Sequence, residues 1–197
     1  MKKVLNNKGF TLVELLAVIV ILAVLALVAM PNVTSMMKQA RKDSFTTEVI
    51  SFTQYAETSY TTAQMSGTEP KSADKSLIKN VKVGQINYDY YCVSYAQLVK
   101  DKLVSKVGDK YSGIIELFIP TQDAGKNQII VSMTNGDAYA IDAVSVGRLS
   151  TKTYESATGK NLGKYNDGTA LTKSACTIPN GNNSSTAFSN YATLFDN

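Results

Sequence analysis

Residues 10–30 read FTLVELLAVIVILAVLALVAM, an apolar run whose one ionisable residue is Glu14. As a helix rising ~1.5 Å per residue, it spans roughly the ~30 Å hydrocarbon core of a bilayer. Fourteen of its residues are Leu, Ile, Val or Phe. Their insertion energies sum to roughly −6 kcal/mol against about +3 for one acid at mid-membrane, so insertion is favoured even with Glu14 aboard. A secretory signal peptide has a shorter apolar region followed by a small-residue cleavage site, and Met30-Pro31-Asn32 is a poor one. A buried core helix would need cover on all sides, which the rest of the chain does not supply. What separates the run from a plain single-pass anchor is Glu14, because an acid inside an apolar span is costly and is a functional candidate by default.

Around that acid stands the text Lys8-Gly9-Phe10-Thr11-Leu12-Val13-Glu14, a short basic stretch closed by Gly, then Phe, then Glu at the fifth position counted from Phe10. The pattern continues through Leu15-Leu16-Ala17-Val18 to Pro31 and Asn32. It resembles the prepilin-type N-terminal segment of the type IV pilin and pseudopilin superfamily, over about the first fifth of the chain. The resemblance implies that residues 1–9 are a leader, cut between Gly9 and Phe10 on the cytoplasmic side by a membrane-embedded aspartyl prepilin peptidase. The same enzyme would then methylate the new amino group of Phe10. Gly9 suits the cut, since a residue without Cβ lets an enzyme approach the backbone closely. In a filament, Glu14 would meet the Phe10 ammonium of an adjacent subunit, which offsets the cost of burying either charge alone. The flanking charges leave orientation open, with Lys2, Lys3 and Lys8 before the run and Lys38, Arg41 and Lys42 after it. The leader-inside topology follows from the resemblance.

Downstream, Pro31 removes the hydrogen bond to the Leu27 carbonyl and is expected to kink the helix without ending it. Phe45, Val49, Phe52, Ala56 and Tyr60 then recur at spacings of three and four, an amphipathic pattern with Lys42, Ser44, Thr47, Glu48 and Thr58 opposite. A continuous rod from about Phe10 to about Ala63 would measure roughly 80 Å. Ser66 to Asp74 (SGTEPKSAD) reads as a loop. A strand is expected around Ile78 to Val83 and a helix around Ser94 to Val104, with Tyr95, Leu98, Val99 and Lys102 on one face. Three β-signals follow at Ile114–Ile119, Gln128–Thr134 and Ala138–Val144. Asn135-Gly136 predicts a tight hairpin pairing Ile130 with Ile141 and Val131 with Ala140. Both sheet faces hold apolar residues, so either could pack on the helix. From Ser150 the chain turns polar, and it is expected to form an ordered loop region pinned by Cys176 with a frayed end. The two cysteines of an exported head, Cys92 and Cys176, are expected to be bridged.

Composition narrows the chemistry. The chain has no His, which removes the commonest general base and the commonest zinc ligand. No metal site, cofactor or catalytic residue is expected, and the protein is read as no enzyme. S-x-x-K occurs at Ser35–Lys38, Ser72–Lys75 and Ser76–Lys79, too often to carry meaning without its companion motifs. The Gly159–Gly163 G-x-x-x-G lies in a polar stretch and is no membrane dimer motif. Lys plus Arg is 20 and Asp plus Glu is 16, and losing the three leader lysines leaves 17 against 16. Nothing in so neutral a chain indicates nucleic-acid binding.

The sequence therefore reads as an α+β protein in which a long kinked N-terminal helix, transmembrane in its first half, packs against a small antiparallel β-sheet head domain. The expected parts are the leader (1–9), the transmembrane and filament-core half-helix (10–31), the amphipathic half-helix (32–65) and an extracellular head (66–197). The expected function is that of a type IV pilus subunit, homo-oligomeric in a filament that serves adhesion, motility or DNA uptake. Its partners would be the prepilin peptidase, a pilus assembly machine with its ATPase, and the membrane before assembly. The subunit would sit in the cell membrane first and in a surface filament afterwards. Rival readings are a minor pilin or pseudopilin of a secretion or competence system, a membrane-anchored binding module that never polymerises, and a membrane-tethered hydrolase. An anchor needs neither Glu14 nor the leader, and a hydrolase needs a nucleophile–base pair the sequence does not display.

Overall fold

The computed structural model describes residues 10–105, 111–122, 125–136, 139–149, 175–176 and 188–195. One helix, α1, runs Leu12–Ser66, through Pro31. It stops where Gly67 takes φ 65°, the left-handed conformation that glycine reaches without Cβ strain. The chain divides into two compact units between Arg41 and Lys42.

In the second unit the fold is an antiparallel meander in the order β1-β2-β3-β4-β5. The strands are β1 (Lys75–Val83), β2 (Ile86–Ser94), β3 (Ser112–Pro120), β4 (Gln128–Thr134) and β5 (Ala140–Ser145). Between β2 and β3 lies a short helix, α2 (Tyr95–Lys100), capped by Ser94 Oγ accepting from Gln97 N. The architecture is the expected α+β class. Three local expectations need correction. The stretch before α2 contains a full strand, β2, which the periodicity did not reveal. The predicted helix to Val104 stops at Lys100, because Lys102 adopts φ 58° and the Leu103 and Val104 amides turn back to the Leu98 carbonyl. The β4–β5 register is also shifted, with Met133 opposite Ile141, Thr134 opposite Ala140 and Ile130 opposite Ser145. Asn135 is the cause. Its carboxamide accepts the Tyr139 amide while its own amide donates to the Tyr139 carbonyl, so the connection is longer than two residues. A bulge at Ala143 (φ 52°), whose amide donates to Ser132 Oγ, adds a further offset.

Both faces of the sheet are buried. On one, α1 lays Phe45, Val49, Phe52, Ala56 and Ala63 against Leu77, Tyr91, Val93, Ile115, Leu117, Val131 and Met133. This is the predicted apolar stripe, with Tyr60 partly buried at its edge. Two hydroxyls within that layer are satisfied locally: Thr46 donates to the Lys42 carbonyl and Thr53 to the Ile50 carbonyl. Ser59 pairs with the Tyr91 hydroxyl at 2.7 Å. On the other face, Tyr88, Tyr90, Ile114, Phe118 and Ile130 are covered by Cys176, Phe188, Tyr191 and Phe195. Tyr191 lies in a 3₁₀ turn, Ser189–Thr193. Of the polar C-terminal region, residues 150–174, 177–187 and 196–197 lie outside the described residues.

Candidate functional site: the start of the long helix

The first turn of α1 is built by Thr11 and Glu14. Thr11 Oγ1 accepts the Glu14 amide at 3.3 Å, while Glu14 Oε2 accepts both the Thr11 amide and the Thr11 hydroxyl at 2.8 Å. This reciprocal arrangement is a capping box, which satisfies backbone donors that a helix start otherwise leaves open. The Leu15 amide then reaches the Thr11 carbonyl at 3.2 Å, closing the first helical turn. Glu14 therefore has a local role that the sequence reading overlooked. The signal was present, since Thr-x-x-Glu ahead of an apolar run is the written form of a capping box. Among the described residues Glu14 Oε1 takes no hydrogen bond, so one carboxylate oxygen remains available.

Within this first unit every side chain described from Phe10 to Met37 is exposed, with Phe10 at 89% and Leu12 at 80%. So much contiguous apolar surface far exceeds what a soluble monomer presents, and marks a surface meant for lipid or for other protein. Among the described residues no helix is long and apolar enough to cross a membrane. The uninterrupted stretch of described side chains, Leu12–Leu27, is about 24 Å long as a helix. Thr34 donates to the Met30 carbonyl at 2.9 Å, one turn past the proline-bearing segment. Gly9, the expected cleavage residue, lies outside the described residues.

The remaining site residues lie in the head. Cys92, at the end of β2, is joined to Cys176 by a disulfide that links positions 84 residues apart. Beside it across the β2–β3 ladder stands Glu116, buried, with its Oε1 accepting the Tyr90 hydroxyl at 2.6 Å and the Tyr191 hydroxyl at 2.7 Å. Burial holds both phenols above their ordinary range, and the Glu116 charge reinforces the effect. A groove of about 280 Å³ lies among Ser59, Thr62, Lys75, Asp101 and Leu103. Its Lys75 and Asp101 side chains pair with each other at 3.2 Å, and its Ser59 hydroxyl pairs with that of Tyr91. Among the described residues no cluster of acids and cysteines could hold a metal ion.

Residues 5–30 match the family model described as the prokaryotic N-terminal methylation motif, the prepilin-type signature of type IV pilins and pseudopilins. No curated protein and no solved structure matches the chain. The matched segment contains Gly9, Phe10, Thr11 and Glu14, the capping box included. It supports a type IV pilin-like or pseudopilin protein, structural in character, and implies processing by a prepilin peptidase and assembly in a pilus-type system.

Proposed function

We propose that this chain is the structural subunit of a type IV pilus, stored in the membrane by residues 10–30 and stacked into a filament whose core is made of those same helices. The carrying observation is the exposure of every apolar side chain described from Phe10 to Met37, headed by one acid whose second oxygen takes no hydrogen bond among the described residues. In sequence the apolar run extends from Phe10 through Met30, long enough to span the hydrocarbon core. Cleavage after Gly9 would make Phe10 the amino terminus, and its ammonium is the cation for Glu14 of a neighbouring copy. In the stored subunit, lipid headgroups and water near the membrane surface lower the cost of the carboxylate. In a filament core that relief is gone. The pair would then reward one axial register over others, so the charge acts on specificity more than on raw stability.

Glu14→Val tests this reading. Membrane insertion should persist, because the substitution removes an unfavourable transfer energy. Cleavage should also persist, while filaments sheared from cells expressing only the variant should be reduced or absent relative to the membrane pool. Normal filament yield would remove the assembly role. Because valine also removes the capping carboxylate, Glu14→Gln serves as a control. It keeps a hydrogen-bond acceptor for Thr11 and loses only the charge, and it should assemble as poorly as Glu14→Val.

A further inference from the structure

Among its described residues the C-terminal segment touches the second face of the sheet at two places of different chemistry. One is covalent, the Cys92–Cys176 bond, steadied by the Cys176 amide donating to the Ala73 carbonyl at 2.7 Å. The other is aromatic. Phe188 is fully buried with its ring 5.0 Å from that of Tyr90, while Tyr191 and Phe195 stand 4.8 and 5.0 Å from Phe118. Tyr191 adds a hydrogen bond to the buried carboxylate of Glu116, which Tyr90 already holds from the sheet side. Buried rings in offset and edge contacts stabilise beyond their area burial, and the hydrogen bond to a carboxylate among them is stronger than one between neutral groups.

We propose that the segment is a two-point clasp: its aromatic point, Phe188–Phe195, closes the second face of the sheet by itself, and the disulfide is a lock added to a face already closed. The order follows from what each point leaves behind when it is absent. Without the aromatic point, Phe118, Tyr90 and Tyr88 lose their cover and Glu116 loses one of its two phenol donors, which is costly for a buried carboxylate. Without the disulfide, two thiols remain, and a free cysteine is content in an apolar layer as a small hydrophobe. The lock forms by ordinary exchange. One cysteine thiolate attacks an external disulfide and displaces a thiolate, and the second cysteine attacks the mixed disulfide and displaces the other. Two electrons pass to the external disulfide, which leaves as two thiols carrying the two protons. The head would thus keep its fold in surroundings that reduce its cysteines.

The test uses the full chain in detergent micelles, reduced with a phosphine and with both thiols verified by alkylation after denaturation. Hydrogen exchange should find the amides around Tyr191 and Phe195 protected in reduced and oxidised protein alike. Loss of that protection on reduction alone overturns the proposal. Phe188→Ala should release the segment in the reduced protein. By linkage it should also shift the equilibrium with a glutathione redox buffer toward the dithiol by roughly tenfold or more. An unchanged equilibrium in this variant, with the sheet amides still protected, overturns it equally. Should Phe188→Ala fail to fold, Tyr191→Phe carries the same reading. It keeps the ring and removes one hydrogen bond to Glu116, so a smaller shift, about fivefold, is expected.

Discussion

Gly113 sits inside β3 with φ 131°, opposite Met133 of β4, where the two backbones approach closely. A Cβ at this position would lie 2.1 Å from the Ser132 carbonyl oxygen and 2.7 Å from the Met133 Cα. Neither obstacle is the far end of a side chain, so relief requires moving β4. Gly113→Ala therefore combines a backbone conformation that side chains avoid, of order 1–3 kcal/mol, with about two weakened ladder hydrogen bonds near 1 kcal/mol each. Together they should destabilise the head by about 3–5 kcal/mol. Gly84 provides the matched control. It too has a positive φ, 62°, in the β1–β2 turn, yet an added Cβ meets nothing within 4 Å. Gly84→Ala should thus cost about 1 kcal/mol, from the left-handed conformation alone. At roughly 2–4 °C per kcal/mol, the melting temperature should fall by about 6–20 °C for Gly113→Ala and about 2–4 °C for Gly84→Ala. The chain has no Trp and 11 Tyr, none before Tyr55, so near-ultraviolet circular dichroism of the tyrosines carries no signal from the apolar run at residues 10–30. Equal shifts in the two variants would refute the claim that close approach of β3 and β4, rather than φ alone, makes Gly113 irreplaceable.

Phe52→Ala empties the centre of the layer between α1 and the sheet, where the ring lies 5.1 Å from Tyr95 and 5.5 Å from Tyr111. It should destabilise the head by about 3–5 kcal/mol in chemical denaturation, with the slope against denaturant unchanged. Alkali should unfold the head through its buried phenols. Burial raises the Tyr91 hydroxyl to about 12, an effect the Ser59 hydrogen bond opposes and the Asp101 charge assists. The folded state then keeps a proton that the unfolded chain releases near pH ~10. Stability should be intact below that pH and decline as pH rises from ~10 towards ~12, with tyrosinate absorbance appearing together with loss of the near-ultraviolet signal. Tyrosinate formation well before unfolding would show the phenols to be accessible. Gly9→Val should leave precursor uncut, because a β-branched side chain crowds the scissile bond; a mature Phe10 terminus in the mass spectrum of that variant would show that the cut tolerates a side chain there.

The features the sequence settled are those carried by contiguous residues. The apolar run, its single acid, the methylation-motif text around Phe10 and the amphipathic stripe Phe45-Val49-Phe52-Ala56 all follow from local order and helical period, and a capping box at Thr11 and Glu14 was legible there too. The tertiary structure decided what depends on distant partners. β2 (INYDYYCVS) escaped the periodicity because it is buried on both sides, with Tyr91 and Val93 towards α1 and Tyr88, Tyr90 and Cys92 towards the C-terminal segment. A strand covered on both faces shows no alternation to read. The register of β4 on β5 turned on the Asn135 carboxamide choosing the Tyr139 amide, a competition between turn types that the Asn-Gly pair alone leaves undetermined. Phe188, Tyr191 and Phe195 stand at spacings of three and four in an otherwise polar tail. Their partners Glu116 and Phe118 lie some seventy residues earlier in the chain, and only the folded sheet brings a buried carboxylate and an aromatic surface to meet them.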